Sequence, residues 1–207
     1  MTLFSRPSWR FAAGLIASAV LLGLYARGGA AYPLGFVALV PWLLTLNASR
    51  SFMGALVNAW LMSIALVAAV FSWFGVSIAE FLGVGERTGL LILLVVAPIF
   101  QPQILVFVAA RYLAGIHHGA ALRAVAGASA WVAIEWLLPK LLDDTLGYAI
   151  YPSLYLRQIA DVGGAAGITF LLLLVNEALT LAIERRRESA RAPIKPLAFA
   201  ATVVAAM

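Results

Sequence analysis

From residue 51 to residue 79, and again from residue 88 to residue 110, the chain carries no charged side chain. An apolar run of about 20 residues is long enough to cross the hydrocarbon of a bilayer as a helix. In lipid every backbone polar group must find its partner inside the protein, so runs of this kind are confined to helical bundles or closed barrels. The rest of the sequence follows the same constraint: 64% of residues are apolar and 11% are charged, against about 45–50% and roughly 25% in soluble domains. Such a chain cannot cover a water-facing surface, which excludes a soluble globular domain, a disordered chain and a disulfide scaffold. Cysteine is absent, so disulfides, thiolate metal sites, iron–sulfur ligation and a cysteine nucleophile are excluded within this sequence.

The hydropathy pattern predicts an all-α, polytopic transmembrane bundle of six spans, at 11–25, 32–46, 51–74, 88–112, 120–138 and 158–183, plus a truncated seventh at 197–207. All belong to one N-terminal transmembrane domain over residues 1–207. The first two spans are short and are expected to thin the bilayer, to extend through flanking residues, or to form a tight hairpin through Arg27-Gly28-Gly29. Arg6 and Arg10 before an apolar run that ends near Gly29-Ala30-Ala31 also resemble a signal peptide. The second span follows so closely that a retained helix is the favoured reading. The final run gives about 16 Å of helix, half of what the hydrocarbon requires, so a continuation beyond residue 207 is expected.

With the N-terminus placed in the cytoplasm, Arg6, Arg10, Arg50, Arg111, Arg123, Arg185, Arg186, Arg187, Arg191 and Lys195 fall inside. Arg27, Arg87, Lys140 and Arg157 fall outside. That asymmetry fits the positive-inside rule. The net charge of +5 therefore reports topology and contact with anionic membrane lipids, with no nucleic-acid partner.

The residues that could carry chemistry are few. Glu135, between Trp131 and Trp136, belongs either to a cavity or packing network or to the simple interface. Glu177 is expected to snorkel toward the inner headgroups near Arg185–Arg187. Ala97-Pro98-Ile99-Phe100-Gln101-Pro102-Gln103 predicts a kink, because each proline removes a backbone donor, and the two glutamines can repair the freed carbonyls. The sharper reading is that this kink opens a lateral cleft for a lipid chain, with Gln101 at its wall. The outer loop 139–157, with Tyr148, Tyr151 and Tyr155 between charged clusters, is either an aromatic belt or the most site-like stretch of the chain. Glu135, Tyr148, Tyr151 and Gln101 are the lipid or substrate-cleft candidates. Asp143 and Asp144 near Thr145 are read as exposed carboxylates, too weak as bases to activate a hydroxyl well.

Several patterns fail as active sites. Adjacent His117 and His118 point about 100° apart on a helix and cannot pair as an i, i+4 metal site. Gly127-Ala128-Ser129-Ala130-Trp131 lacks the last glycine of a nucleophile elbow. Gly163-Gly164-Ala165-Ala166-Gly167 has the wrong spacing for a dinucleotide fingerprint, and its small residues suit close helix packing instead. Gly83-Val84-Gly85-Glu86 carries the wrong acid, in a loop, for an intramembrane aspartyl protease. Nothing in the sequence calls for a metal or a cofactor.

Pro33-Leu34-Gly35-Phe36-Val37-Ala38-Leu39-Val40-Pro41-Trp42-Leu43-Leu44 resembles the second-helix signature of bacterial apolipoprotein N-acyltransferases. Trp131-Val132-Ala133-Ile134-Glu135-Trp136-Leu137 resembles the fifth helix of that family. Leu146-Gly147-Tyr148, then Gln158-Ile159-Ala160-Asp161-Val162-Gly163-Gly164, Gly167-Ile168-Thr169-Phe170-Leu171 and Leu174-Val175-Asn176, resemble the entry to its sixth helix. The ordered set, over about 32–183, is more specific than any one piece. The resemblance implies a bacterial inner-membrane bundle that works with a periplasmic nitrilase-like domain. The substrates it implies are a phospholipid acyl donor and a lipoprotein with a diacylglyceryl-modified N-terminal cysteine. The family's Glu–Lys–Cys set lies in the nitrilase-like domain, so none of it is carried over here, and the chain alone is expected to be inactive. Leu138-Pro139 and Asp143-Asp144-Thr145 stand where the family has an arginine and a Gly-Phe-Pro-Trp-like run. The alternative of a different class is a non-enzymatic scaffold or lipid-binding partner of a separately encoded catalytic subunit.

Overall fold

The computed structural model describes residues 8–138, 144–188 and 194–206. These form nine α-helices and no strand among the described residues: α1 (Ser8–Ala26), α2 (Val40–Asn47), α3 (Phe52–Val70), α4 (Ser72–Leu82), α5 (Glu86–Phe100), α6 (Pro102–His117), α7 (Ala120–Leu137), α8 (Ala160–Glu188) and α9 (Ile194–Ala206). Among the described residues, five helical stretches are long and apolar enough to cross a membrane, and a sixth if the bent pair α4–α5 counts as one span. The chain is a multi-pass helical membrane bundle. Parts of the sequence-based map, including Arg6, Lys140, Asp143 and Arg191, lie outside the described residues.

The core is aromatic and aliphatic. Trp42 of α2, Phe107 of α6 and Trp131 of α7 form a buried line, with ring centroids 5.9 Å and 5.7 Å apart. Gly127 of α7 lets Phe107 approach, since a Cβ there would sit 2.9 Å from the ring. Around this line pack Leu22 and Tyr25 of α1, Ala59 and Met62 of α3, and Leu172 and Leu173 of α8.

The run 32–46 is not one helix. A 3-10 helix spans Gly29–Phe36 and α2 starts only at Val40. The break leaves the first N–H groups of α2 without partners of their own helix, and inside a bundle they must be satisfied by protein. The Leu39 N–H donates to Asn176 Oδ1 at 2.9 Å, and the Trp42 N–H donates to Ser18 Oγ at 2.9 Å. Pro41 has no N–H to satisfy. The Asn176 amide also donates to the Gly35 and Leu172 carbonyls, each at 2.8 Å. Asn176 thus holds the broken second span against α8.

The run 88–112 breaks outright where its prolines predict a kink. Gln101 closes α5 and opens α6 with non-helical angles, φ −121° and ψ 53°. Pro102 cannot donate to the carbonyl one turn back, and it stands at the first position of α6, where a missing N–H costs nothing. The expected loop after residue 74 is also helical. α4 and α5 form a pair bent by 117°, turned by Gly83 in the left-handed region (φ 65°). The pair packs through small residues. A Cβ at Gly75 of α4 would press on the Leu90 backbone, and a Cβ at Gly89 of α5 would strike the backbones of Gly75 and Ala79.

Close packing falls at those glycines and not at Gly163 or Gly167, where a Cβ would meet nothing within 4 Å. Gly164 instead breaks the first turn of α8 from the rest, with φ 61° and ψ −169°, a conformation that glycine alone adopts readily.

Candidate functional site

Two polar regions stand out, one at each end of the bundle. At the end rich in arginine, Glu177 does not snorkel: it is buried and pairs with the equally buried Arg111. The Arg111 Nε donates to Glu177 Oε1, its Nη2 donates to Glu177 Oε2 at 3.1 Å, and Nη2 also reaches Asn47 Oδ1 at 2.5 Å. Asn47 in turn donates to Glu184 at 2.8 Å. Arg123, whose Nη2 lies 4.0 Å from Glu177 Oε2, sits at the edge of the cluster. Arg111 and Arg123 lie within α6 and α7, near the ends of the runs 88–112 and 120–138 that the sequence marks as spans. An ion in an apolar interior costs so much to desolvate that it is retained only with a partner. The Arg111–Glu177 pair ties α6 to α8, and Asn47 adds α2. His117 and His118, at the end of α6, are exposed.

At the opposite end a narrow half-open cleft lies between α3, α4 and α5. Val67, Phe71, Phe74, Leu93 and Phe100 line it, with Gln101 and Asp144 at its polar end. The Gln101 amide donates to Asp144 Oδ2 at 3.0 Å and its carbonyl oxygen accepts from the Gln103 amide. Gln101 and Gln103 are both buried. Asp144 is half-buried and bonded, which corrects its reading as an exposed carboxylate.

Glu135 joins a second network beside this mouth. Its Oε1 accepts from the indole N–H of Trp131 at 3.0 Å and its Oε2 from the Thr145 hydroxyl at 2.9 Å. The Thr145 and Thr169 hydroxyls are 2.7 Å apart, and Thr169 Oγ1 accepts from the Gly147 N–H at 2.9 Å. Tyr25 donates to the Leu146 carbonyl at 2.5 Å. Gly147 packs so closely on Ala165 of α8 that a Cβ would strike its carbonyl. Thr145–Gly147 is thus seated on α1, α7 and α8.

Of the four candidates, Gln101 lines the cleft, Glu135 reaches the mouth through Thr145, and Tyr148 and Tyr151 are exposed, at 51% and 69%. Sequence reasoning missed the hydrogen-bonding roles of Thr145, Thr169 and Asn176, and the Arg111–Glu177 pair. Only the last left a usable trace: opposite charges in two helices that end on the same side.

An all-α bundle with an apolar cleft between helices, one acidic polar mouth and a buried ion pair at the far end defines a polytopic helical membrane protein. The profile of the apolipoprotein N-acyltransferase N-terminal domain matches residues 18–178. The chain belongs to that family. No curated protein matches the chain closely enough to add a second relative.

Proposed function

We propose that the chain is the membrane half of an apolipoprotein N-acyltransferase-like protein, placed in the bacterial inner membrane with its N-terminus in the cytoplasm. In this reading a nitrilase-like domain, not contained in these 207 residues, carries the acylated cysteine. The bundle holds that domain at the outer surface and admits the lipid chain. The overall reaction moves an acyl chain from a phospholipid to the amino group of the diacylglyceryl-cysteine of a lipoprotein. A covalent acyl-enzyme divides that transfer into two easier steps, and the sequence here supplies no cysteine for it.

The observation that carries the reading is the family match over 18–178. The lining of the cleft that ends at Gln101 and Asp144 suits it in kind, since an acyl chain needs apolar walls and its ester or headgroup needs hydrogen-bonding partners at one end, and the helices have to part to admit a chain there. Glu135 serves by holding the mouth, and Tyr148 and Tyr151 lie where ring and hydroxyl meet headgroups.

The test is reconstitution. The purified chain is supplied with phospholipid and a diacylglyceryl-cysteinyl peptide, and N-acylated product is measured by mass spectrometry. No product above the protein-free control is expected from the chain alone, and product is expected when a family nitrilase-like domain is added. Turnover by the chain alone, or equal turnover by the added domain without it, contradicts the proposal.

A further inference from the structure

We propose that Thr169 and Glu135 are positioning residues, which set the polar mouth of the cleft through a hydrogen-bond chain of fixed direction. The functional part of this inference rests on the lipid-cleft reading above.

The direction follows from counting hydrogens. The Gly147 N–H can only donate, and it points at Thr169 Oγ1. Each threonine hydroxyl has one hydrogen to give. The Glu135 carboxylate takes the Trp131 indole N–H on one oxygen and Thr145 on the other. An ionised carboxylate is acceptor-only, so the Thr145 hydrogen goes to Glu135. The Thr169 hydrogen then goes to Thr145, and the Thr169 oxygen is left to accept from Gly147. Every hydrogen in the chain from Gly147 through Thr169 and Thr145 to Glu135 is used, and reversing any link leaves two donors or two acceptors facing each other.

What the chain holds is the residue next to it. Asp144 directly precedes Thr145, lines the cleft, and accepts from Gln101 on the other side of the mouth. Thr169 is fully buried on α8 and Glu135 is half-buried on α7. Neither lines the cleft, so both act through Thr145. The Tyr25 bond to Leu146 and the fit of Gly147 on Ala165 fix the same three residues from two further sides. The mouth is therefore placed by the bundle and not by the segment's own conformation.

The test compares Thr169→Val, which keeps shape and loses the hydroxyl, with Thr169→Ser, which keeps the hydroxyl. The chain is placed in vesicles of phosphatidylethanolamine and phosphatidylglycerol, with a trace of phosphatidylethanolamine carrying a diazirine on one acyl chain. After illumination, cross-links to Val67, Phe71, Leu93 and Phe100 are counted relative to those on Ile16 and Val20, which are exposed on α1. Amide exchange at Gly147 is followed in parallel. Thr169→Val should speed that exchange about tenfold and lower the cleft cross-links about fivefold, as expected for losing one buried hydrogen bond. Thr169→Ser should restore both. If Thr169→Val fails to fold, Thr145→Val cuts the same chain and is read in its place. Unchanged exchange in the valine variant, or faster exchange with unchanged cleft cross-links, overturns the proposal. So does loss of both signals in the serine variant. If the parent gives no cleft cross-links, the lipid reading falls by itself. The exchange arm then decides the chain: faster exchange at Gly147 supports it and unchanged exchange overturns it.

Discussion

The two polar ends of the bundle are built from different chemistry. At the arginine-rich end, Arg111 and Glu177 are full charges on α6 and α8, facing each other in the interior. At the opposite end, two hydroxyls, an indole and two glutamine amides meet two carboxylates, on and around a segment between helices. A buried charge tolerates no loss of its partner, whereas a mostly neutral network loses about one hydrogen bond at a time. The first arrangement suits a fixed helix junction. The second suits a mouth that must be held in place yet stay beside an open cleft.

The largest effect should come from breaking the ion pair. Glu177→Leu leaves the Arg111 guanidinium buried without its carboxylate, at a cost of about 3–5 kcal/mol. Thermal unfolding in detergent should show a large loss, and the double variant Arg111→Leu with Glu177→Leu should recover most of it. A single variant as stable as the parent would place the pair in solvent.

A smaller effect is expected at the opposite end. Gly147→Val drives a side chain into the Ala165 carbonyl and should cost about 1–3 kcal/mol as an overpacked contact. The segment should lift, with faster amide exchange over Leu146–Ile150, while the Arg111–Glu177 junction stays intact.

The smallest effect is at Glu135. Glu135→Gln keeps an acceptor for Trp131 or Thr145, whereas Glu135→Leu leaves both donors unmatched, at about 1 kcal/mol for this half-buried site. Detergent melting curves should rank the parent first, glutamine next and leucine last. Equal stability of all three would return Glu135 to a plain interfacial role.

What the sequence made legible was whatever depends on one segment alone. Apolar runs locate spans because lipid imposes the same demand on each, and Pro98 and Pro102 mark a disruption because a proline lacks its donor wherever it stands. Partnership was not legible. Arg111 and Arg185 are the same letter near the same end, yet the first is buried on Glu177 and the second exposed, and the contact that separates them spans 66 residues of sequence. Thr169 carries no mark either, since a threonine in an apolar run most often bonds its own helix, as Thr180 does with the Asn176 carbonyl. The break in the second span was hidden for a related reason. Its repair is supplied by Ser18 and Asn176, which belong to other helices.

The proposed function gives the comparison a direction in the membrane, and that direction is its central claim: in that reading the cleft end faces outward and the ion-pair end faces the cytoplasm. Because the sequence has no cysteine, one introduced thiol reports one position. Ser153→Cys stands in the segment after the cleft mouth and Ser189→Cys in the basic stretch after Arg187. A membrane-impermeant maleimide added to intact cells should label the first, and should label the second only after the membrane is opened. Labelling of Ser189→Cys in intact cells with Ser153→Cys protected would contradict the account.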